Sequence, residues 1–145
     1  VVLVAIDPGK VTGVAVFQDG VLHRATACSL EECRLFIENE QPGDCIIEVP
    51  QIYPGQQQKG DQNDLINLAV TVGRYADLAI ACGFRVKLVK PREWKGQLPK
   101  DVCWNRVRET LTSLELGNME KVPKSRAHNM HDAIGLGTWF QKRWR

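Results

Sequence analysis

The chain opens on an unbroken apolar run, Val1-Val2-Leu3-Val4-Ala5-Ile6, that stops at Asp7-Pro8-Gly9. A continuous, β-branched run of this length predicts a strand buried on both faces. Residues 12–17 and 21–27 flank Asp19-Gly20, a two-residue hairpin signal, so the first three strands are expected to form an antiparallel meander. Ser29 then offers an N-cap with Glu32 three residues on, and Leu30, Cys33, Phe36 and Ile37 make one helical stripe ending near Glu40. Residues 45–49 form another short buried strand. The stretch 50–62 holds two prolines, two glycines and five glutamines and is expected to be a loop. A long helix follows over 63–82, with Leu65, Ile66, Leu68, Ala69, Val72, Tyr75, Ala76 and Ala79 on a broad apolar face and Gly83 as its C-cap. Phe84, Val86 and Leu88 alternate with Arg85 and Lys87 as the last strand. A basic loop over 90–100, a helix to about Leu116, a polar linker over 117–125 and a final helix over 126–144 complete the chain. This order predicts an α/β layer built on a mixed sheet with parallel central strands.

Two strands end on a carboxylate, Asp7 and Glu48, and a third acid, Asp132, stands on the apolar pattern of the last helix, His128-Asn129-Met130-His131-Asp132-Ala133-Ile134. Carboxylates delivered to the ends of buried strands are costly unless a cation or donors await them. Three such acids point to a divalent metal site.

Bulk properties add three constraints. The 145 residues suffice for one domain, 43% apolar and 25% charged residues are ordinary for a globular protein, and no run approaches the ~20 apolar residues of a membrane span. The opening run also lacks the basic flank and cleavage site of a signal peptide, so an intracellular protein is expected. The five cysteines are odd in number and form no CxxC pair, which reads as reduced core thiols. The net charge of +2 divides unevenly, −6 over residues 1–84 and +8 over 85–145. A basic half beside clustered acids fits a polyanion held near bound metal.

Ile6-Asp7-Pro8-Gly9 with Thr12-Gly13-Val14-Ala15, then Ile46-Ile47-Glu48, then Asp132-Ala133 on a helix resemble the RuvC family of Holliday junction resolvases within the ribonuclease H-like superfamily. The resemblance covers nearly the whole chain, and the chain is short for a cellular resolvase, which would suit a phage or mobile-element version. It implies a single ribonuclease H-like domain over 1–145 with a five-stranded mixed sheet, strands one to three antiparallel and the last two parallel to the first. It further implies that Asp7, Glu48 and Asp132 hold two Mg²⁺ ions (or Mn²⁺), which hydrolyse a phosphodiester of branched DNA in recombination or repair. Two ions about 3.5–4 Å apart can activate water on one side of a phosphate and stabilise the leaving oxygen on the other.

The family's usual acid or histidine three residues before the last Asp is Asn129 here, while His128 lies four before; both share the Asp132 face. His128 is preferred as the fourth catalytic and metal-binding group because imidazole can ligate metal or carry a proton, with Asn129 the alternative. His131 reads as a phosphate partner or surface residue, and His23 has no visible companions. Lys90 and Lys100 occupy the ends of the basic loop, where the family places lysines near the scissile phosphate, and Arg92 and Lys95 add charge between them. Trp94 is read as an anchor beneath that loop or as a stacking platform. Tyr53 is the candidate aromatic for the branch point, with Gln56–Gln58 beside it. The helix over 63–82 resembles the family's dimer element, which implies a homodimer. The alternatives are an inactive branched-DNA-binding module, favoured by Asn129, and a related nuclease acting on RNA-containing substrates. The opening strand-Asp-x-Gly-Thr arrangement also occurs in sugar kinases and actin-like ATPases, but this chain has no second phosphate loop, so no nucleotide cofactor is expected.

Overall fold

The computed structural model describes residues 1–51 and 61–144. Five strands form one sheet in the order β3-β2-β1-β4-β5, namely β1 (Val2–Asp7), β2 (Thr12–Gln18), β3 (Val21–Cys28), β4 (Asp44–Glu48) and β5 (Arg85–Val89). The first three pair antiparallel, and β4 and β5 run parallel to β1, as the pattern predicts. Asp19 and Gly20 both adopt positive φ, 50° and 84°, which is the geometry that lets a two-residue turn follow the twist of the flanking strands.

Helices cover both faces. On one lie α1 (Leu30–Asn39) and α2 (Gln62–Ala81), whose Cys33, Ile37, Val72, Tyr75 and Ala79 pack on Val4, Ile6, Val14, Val16 and Ile47. On the other lie α4 (Lys100–Glu109) and α6 (Lys124–Phe140), with Cys103, Val107, Met130, Ala133, Ile134 and Leu136 packed on Leu3, Ala5, Ala15, Phe17 and Ile46. Successive side chains of a strand point to opposite faces, so the continuous apolar run of β1 feeds both layers. All five cysteines are free thiols, four of them buried.

Three features differ from the expected elements. The basic loop contains a single helical turn, α3 (Pro91–Trp94), begun by proline at its first position. The helix expected from residue 100 to about Leu116 breaks after Glu109 and resumes as α5 (Ser113–Gly117). Thr112 caps α5 through its side chain on the Glu115 amide, and Glu115 reaches back to the Thr112 amide. Glu115 is only 2% exposed, and its carboxylate also takes the Leu22 amide and both Arg143 nitrogens at 2.7 and 2.8 Å. The final helix runs over Lys124–Phe140 and stops short of residue 144, because Trp144 turns back to lie edge-on to Trp94 and Arg143 to reach Glu115.

Helix α6 sits unusually close to the sheet. A Cβ on Gly13 would overlap the backbone carbonyl of Asn129, and one on Gly137 would overlap the Phe17 ring. Only glycine allows these approaches, and the first of them seats the Asn129–Asp132 turn directly on the β1–β2 pair.

Candidate active site

β1 and β4 pair in the register Ile6↔Ile47, so the next residues, Asp7 and Glu48, end the two strands side by side. Across the sheet Asp7 pairs with Gly13, the residue on which α6 rests, and that contact carries Asp132 to the same edge. The three acids act on one another. The Asp7 carboxyl is pushed well above the usual carboxylate range by burial first and then by the charges of Glu48 and Asp132. Burial also raises Glu48, against the pull of Lys95 and the Trp94 indole.

Lys95 supplies the nearest cation. Its Nζ lies 3.8 Å from Glu48 Oε2 and 3.5 Å from Asp132 Oδ2. Burial works against its charge, but Glu48, Asp132 and Asp7 outweigh that and raise its pKa. Trp94 sits beneath, fully buried, and its Nε1–H donates to Glu48 Oε2 at 2.6 Å while the Lys95 ammonium lies 5.0 Å from its ring centroid. Trp94 is thus the anchor of the basic loop, and it aims one of the acids. Lys100, the first residue of α4, stands close enough to lower both Asp7 and Glu48. Lys90 and Arg92 are exposed on α3 and its cap.

Among the described residues no three Asp, Glu, His or Cys side chains form a ready-made ligand cluster, and Lys95 reaches between two of the three acids instead. The donor set nevertheless fits a hard divalent ion, because all three groups are carboxylates brought to one edge of the sheet.

The helix face resolves the neighbours of Asp132. At 100° per residue, Asn129 falls on the side of Asp132 nearer the buried Met130 and Ala133, and it is half-buried. His128 falls on the solvent side and is exposed. His131 stacks flat on Trp104 of α4, centroids 3.7 Å apart and planes 3° from parallel, and burial lowers its pKa. His23 is exposed on β3. Tyr53 and Gln56–Gln58 lie outside the described residues. On α2, Ile66, Val70 and Ile80 are 60%, 57% and 60% exposed and share one face with Gly73. Among the described residues no helix is long and apolar enough to cross a membrane.

No family model matches the chain, and no curated protein matches it significantly. Solved structures do. RuvC of T. thermophilus in complex with a Holliday junction substrate superposes with a TM-score of 0.69 at 18% identity, covering 99% of this chain and 96% of that one. A second T. thermophilus RuvC structure matches with a TM-score of 0.57 at 17% identity, over 100% of this chain and 99% of that one. The fold is RuvC-like. The sheet order, the parallel β1-β4-β5 half and the closing helix therefore belong to the ribonuclease H-like arrangement expected from the sequence.

Proposed function

We propose that this protein is a metal-dependent endonuclease that cuts branched DNA, four-way junctions above all, by hydrolysing a phosphodiester. The observation that supports it most is the arrival of Asp7, Glu48 and Asp132, from β1, β4 and α6, at one half-buried edge of the sheet, where they act on one another and two of them share Lys95. A fold built for stability alone gains nothing from gathering three acids at one edge, whereas a site built to receive divalent cations requires them. The RuvC-like fold of a protein solved with a Holliday junction supports the choice of substrate.

In this reading Asp7, Glu48 and Asp132 hold Mg²⁺, with Mn²⁺ able to substitute. The bound ions would supply a water nucleophile ionised near neutral pH and a Lewis acid for the leaving oxygen. Trp94 donates to the same Glu48 oxygen that faces Lys95, which fixes the carboxylate's rotation. Lys95 holds the acids together before substrate arrives and, with Lys100, offers positive charge to the phosphate. Lys90 and Arg92, on the outer side of the same loop, bind backbone phosphates further along the strand. His128, on the solvent side of Asp132, is the fourth group and suits proton transfer to or from solvent; Asn129, on the inner side, is the alternative ligand. Tyr53 remains the candidate for the branch point.

Two cuts placed symmetrically across a junction require two such sites, and the exposed strip Ile66-Val70-Gly73-Ile80 on α2 supports a second copy packed there in a C2 dimer. The test is a panel of end-labelled four-way, three-way, flap and duplex DNAs incubated with protein and Mg²⁺ or Mn²⁺. Cutting confined to branched substrates supports the reading. Tight binding of the junction with no cutting in either metal would make the protein a binding module, the alternative that Asn129 favours.

A further inference from the structure

Thr12 is wholly buried, and its hydroxyl stands where three groups meet. Oγ1 donates to the Gly9 carbonyl at 3.0 Å, the Gly9 amide approaches the same oxygen at 3.4 Å, and the Tyr75 hydroxyl lies 2.8 Å away. A threonine hydroxyl has one proton, and here it goes to the Gly9 carbonyl, so the Tyr75 hydroxyl is the donor to Thr12. The Thr12 hydroxyl thus ties the Tyr75 hydroxyl on α2 to the Gly9 carbonyl in the turn after Asp7. Donors aligned in series in a dry interior reinforce one another.

On its other flank the same turn is poorly supported. Gly9 and Lys10 border an open cavity of about 530 Å³ that also touches Leu30, Asp64, Asn67 and Thr71. Among the described residues, the turn that follows β1 has this open cavity on one side and the Thr12–Tyr75 hydroxyl pair on the other.

We infer that Tyr75 is a positioning residue for Asp7: its hydroxyl, carried on α2, holds Thr12 and through it the Pro8–Val11 turn that sets the carboxylate at the end of β1. The inference rests on the proposed role of Asp7. Nothing in it requires Tyr75 to touch substrate; the nearest sheet-end carboxylate is reached only through Thr12 and Gly9.

The experiment compares Tyr75→Phe, Thr12→Val, their combination and Thr12→Ser, by steady-state junction cleavage with Mg²⁺ and by tryptic nicking of the free protein after Lys10. Tyr75→Phe keeps the ring that fills the core and removes only the hydroxyl, and a thermal melt confirms that each variant is folded. From the net worth of one buried hydrogen bond, kcat should fall about 3–10-fold in each single variant with KM within about twofold. The double variant should lose no more than the worse single one, because both break the same strut. Thr12→Ser should behave as wild type, and nicking after Lys10 should quicken in every variant that loses the strut. Unchanged kcat in Tyr75→Phe, unchanged nicking, or additive losses in the double variant overturn the inference. Should wild type cut no junction at all, the proposed function fails, and nicking alone still decides whether the strut holds the turn.

Discussion

Replacing Asp7 by asparagine should make the metal-free protein more stable while destroying its activity. Asp7 is half-buried, and its carboxyl is held well above its ordinary pKa by desolvation and by Glu48 and Asp132. A carboxyl whose folded pKa lies above its unfolded value of about 3.9 subtracts stability once it ionises. The deficit is absent below the unfolded pKa, grows as pH rises between the two values, and is complete above the folded one. A tenfold difference in proton affinity between the folded and unfolded chain is worth about 1.4 kcal/mol. A neutral amide of the same shape removes the repulsion from two neighbouring acids but must still find hydrogen bonds, so a net gain of about 1–3 kcal/mol is expected at pH 7.5. At about 2–4 °C per kcal/mol for a chain of this size, the melting temperature should rise by roughly 3–10 °C in EDTA. The difference between variant and wild type should shrink as pH is lowered toward 4. Divalent ions should reverse the order: at Mg²⁺ near 100 times its Kd, wild type gains about 2.7 kcal/mol by mass action, and Asp7→Asn, short of a ligand, gains far less. Differential scanning fluorimetry across pH 4–8, with EDTA and with Mg²⁺, reads all of this. An Asp7→Asn protein less stable than wild type in EDTA, or one with the same Mg²⁺ response, would refute the reasoning.

Gly13→Ala should be far more damaging than its size suggests, because the new methyl meets the Asn129 backbone carbonyl and must push α6 off β2; a loss of about 1–3 kcal/mol in a urea melt together with loss of cleavage is expected, and an active, stable variant would show that α6 need not lie so close. Arg143→Ala strands the buried Glu115 carboxylate, whose pKa Arg143 and two backbone amides hold down at about 2. It should cost about 3–5 kcal/mol at pH 7. In wild type the stabilisation from this low pKa is complete above the unfolded value near 4.3 and is lost as pH falls toward 2, so the gap between wild type and Arg143→Ala should narrow over that window in acid titrations. His128→Ala should cut the cleavage rate on the order of 10²–10⁴-fold if imidazole moves a proton, with Asn129→Ala milder; a fully active His128→Ala beside a dead Asn129→Ala reverses the assignment.

Much of this architecture is legible in the chain because the strand ends are sharply punctuated. Asp7-Pro8-Gly9 and Glu48-Val49-Pro50 stop two continuous apolar runs, and the Asp19-Gly20 turn sets the meander between them. The break between α4 and α5 is also written locally, in the capping box Thr112-Ser113-Leu114-Glu115, but the apolar spacing of Val107, Leu111 and Leu114 runs through it and reads as one helix. What the spacing does not carry is direction in three dimensions. Lys95 is one of four basic residues in its loop, and only the burial of Trp94 beside it turns its ammonium inward to Glu48 and Asp132 rather than outward with Lys90 and Arg92. Gly13, Gly135 and Gly137 are visible as small residues, yet their cause is the approach of α6 to the sheet and, at Gly135, to Trp94 and Val107, a property of distant segments. Tyr75 reads as one more apolar position on α2, and its hydroxyl acquires meaning only opposite Thr12.

The most direct test of the central claim is cleavage of a mobile-core four-way junction by wild type and Glu48→Gln, each with Mg²⁺ and with EDTA, alongside a binding assay on the same DNA. Wild type should leave paired, symmetric nicks in Mg²⁺ and none in EDTA, and Glu48→Gln should leave none in either. Junction affinity in EDTA should be the same for both proteins or slightly tighter for the variant, because phosphate contacts come from lysine and arginine. Cutting that persists in EDTA, or that survives in Glu48→Gln, would contradict the claim.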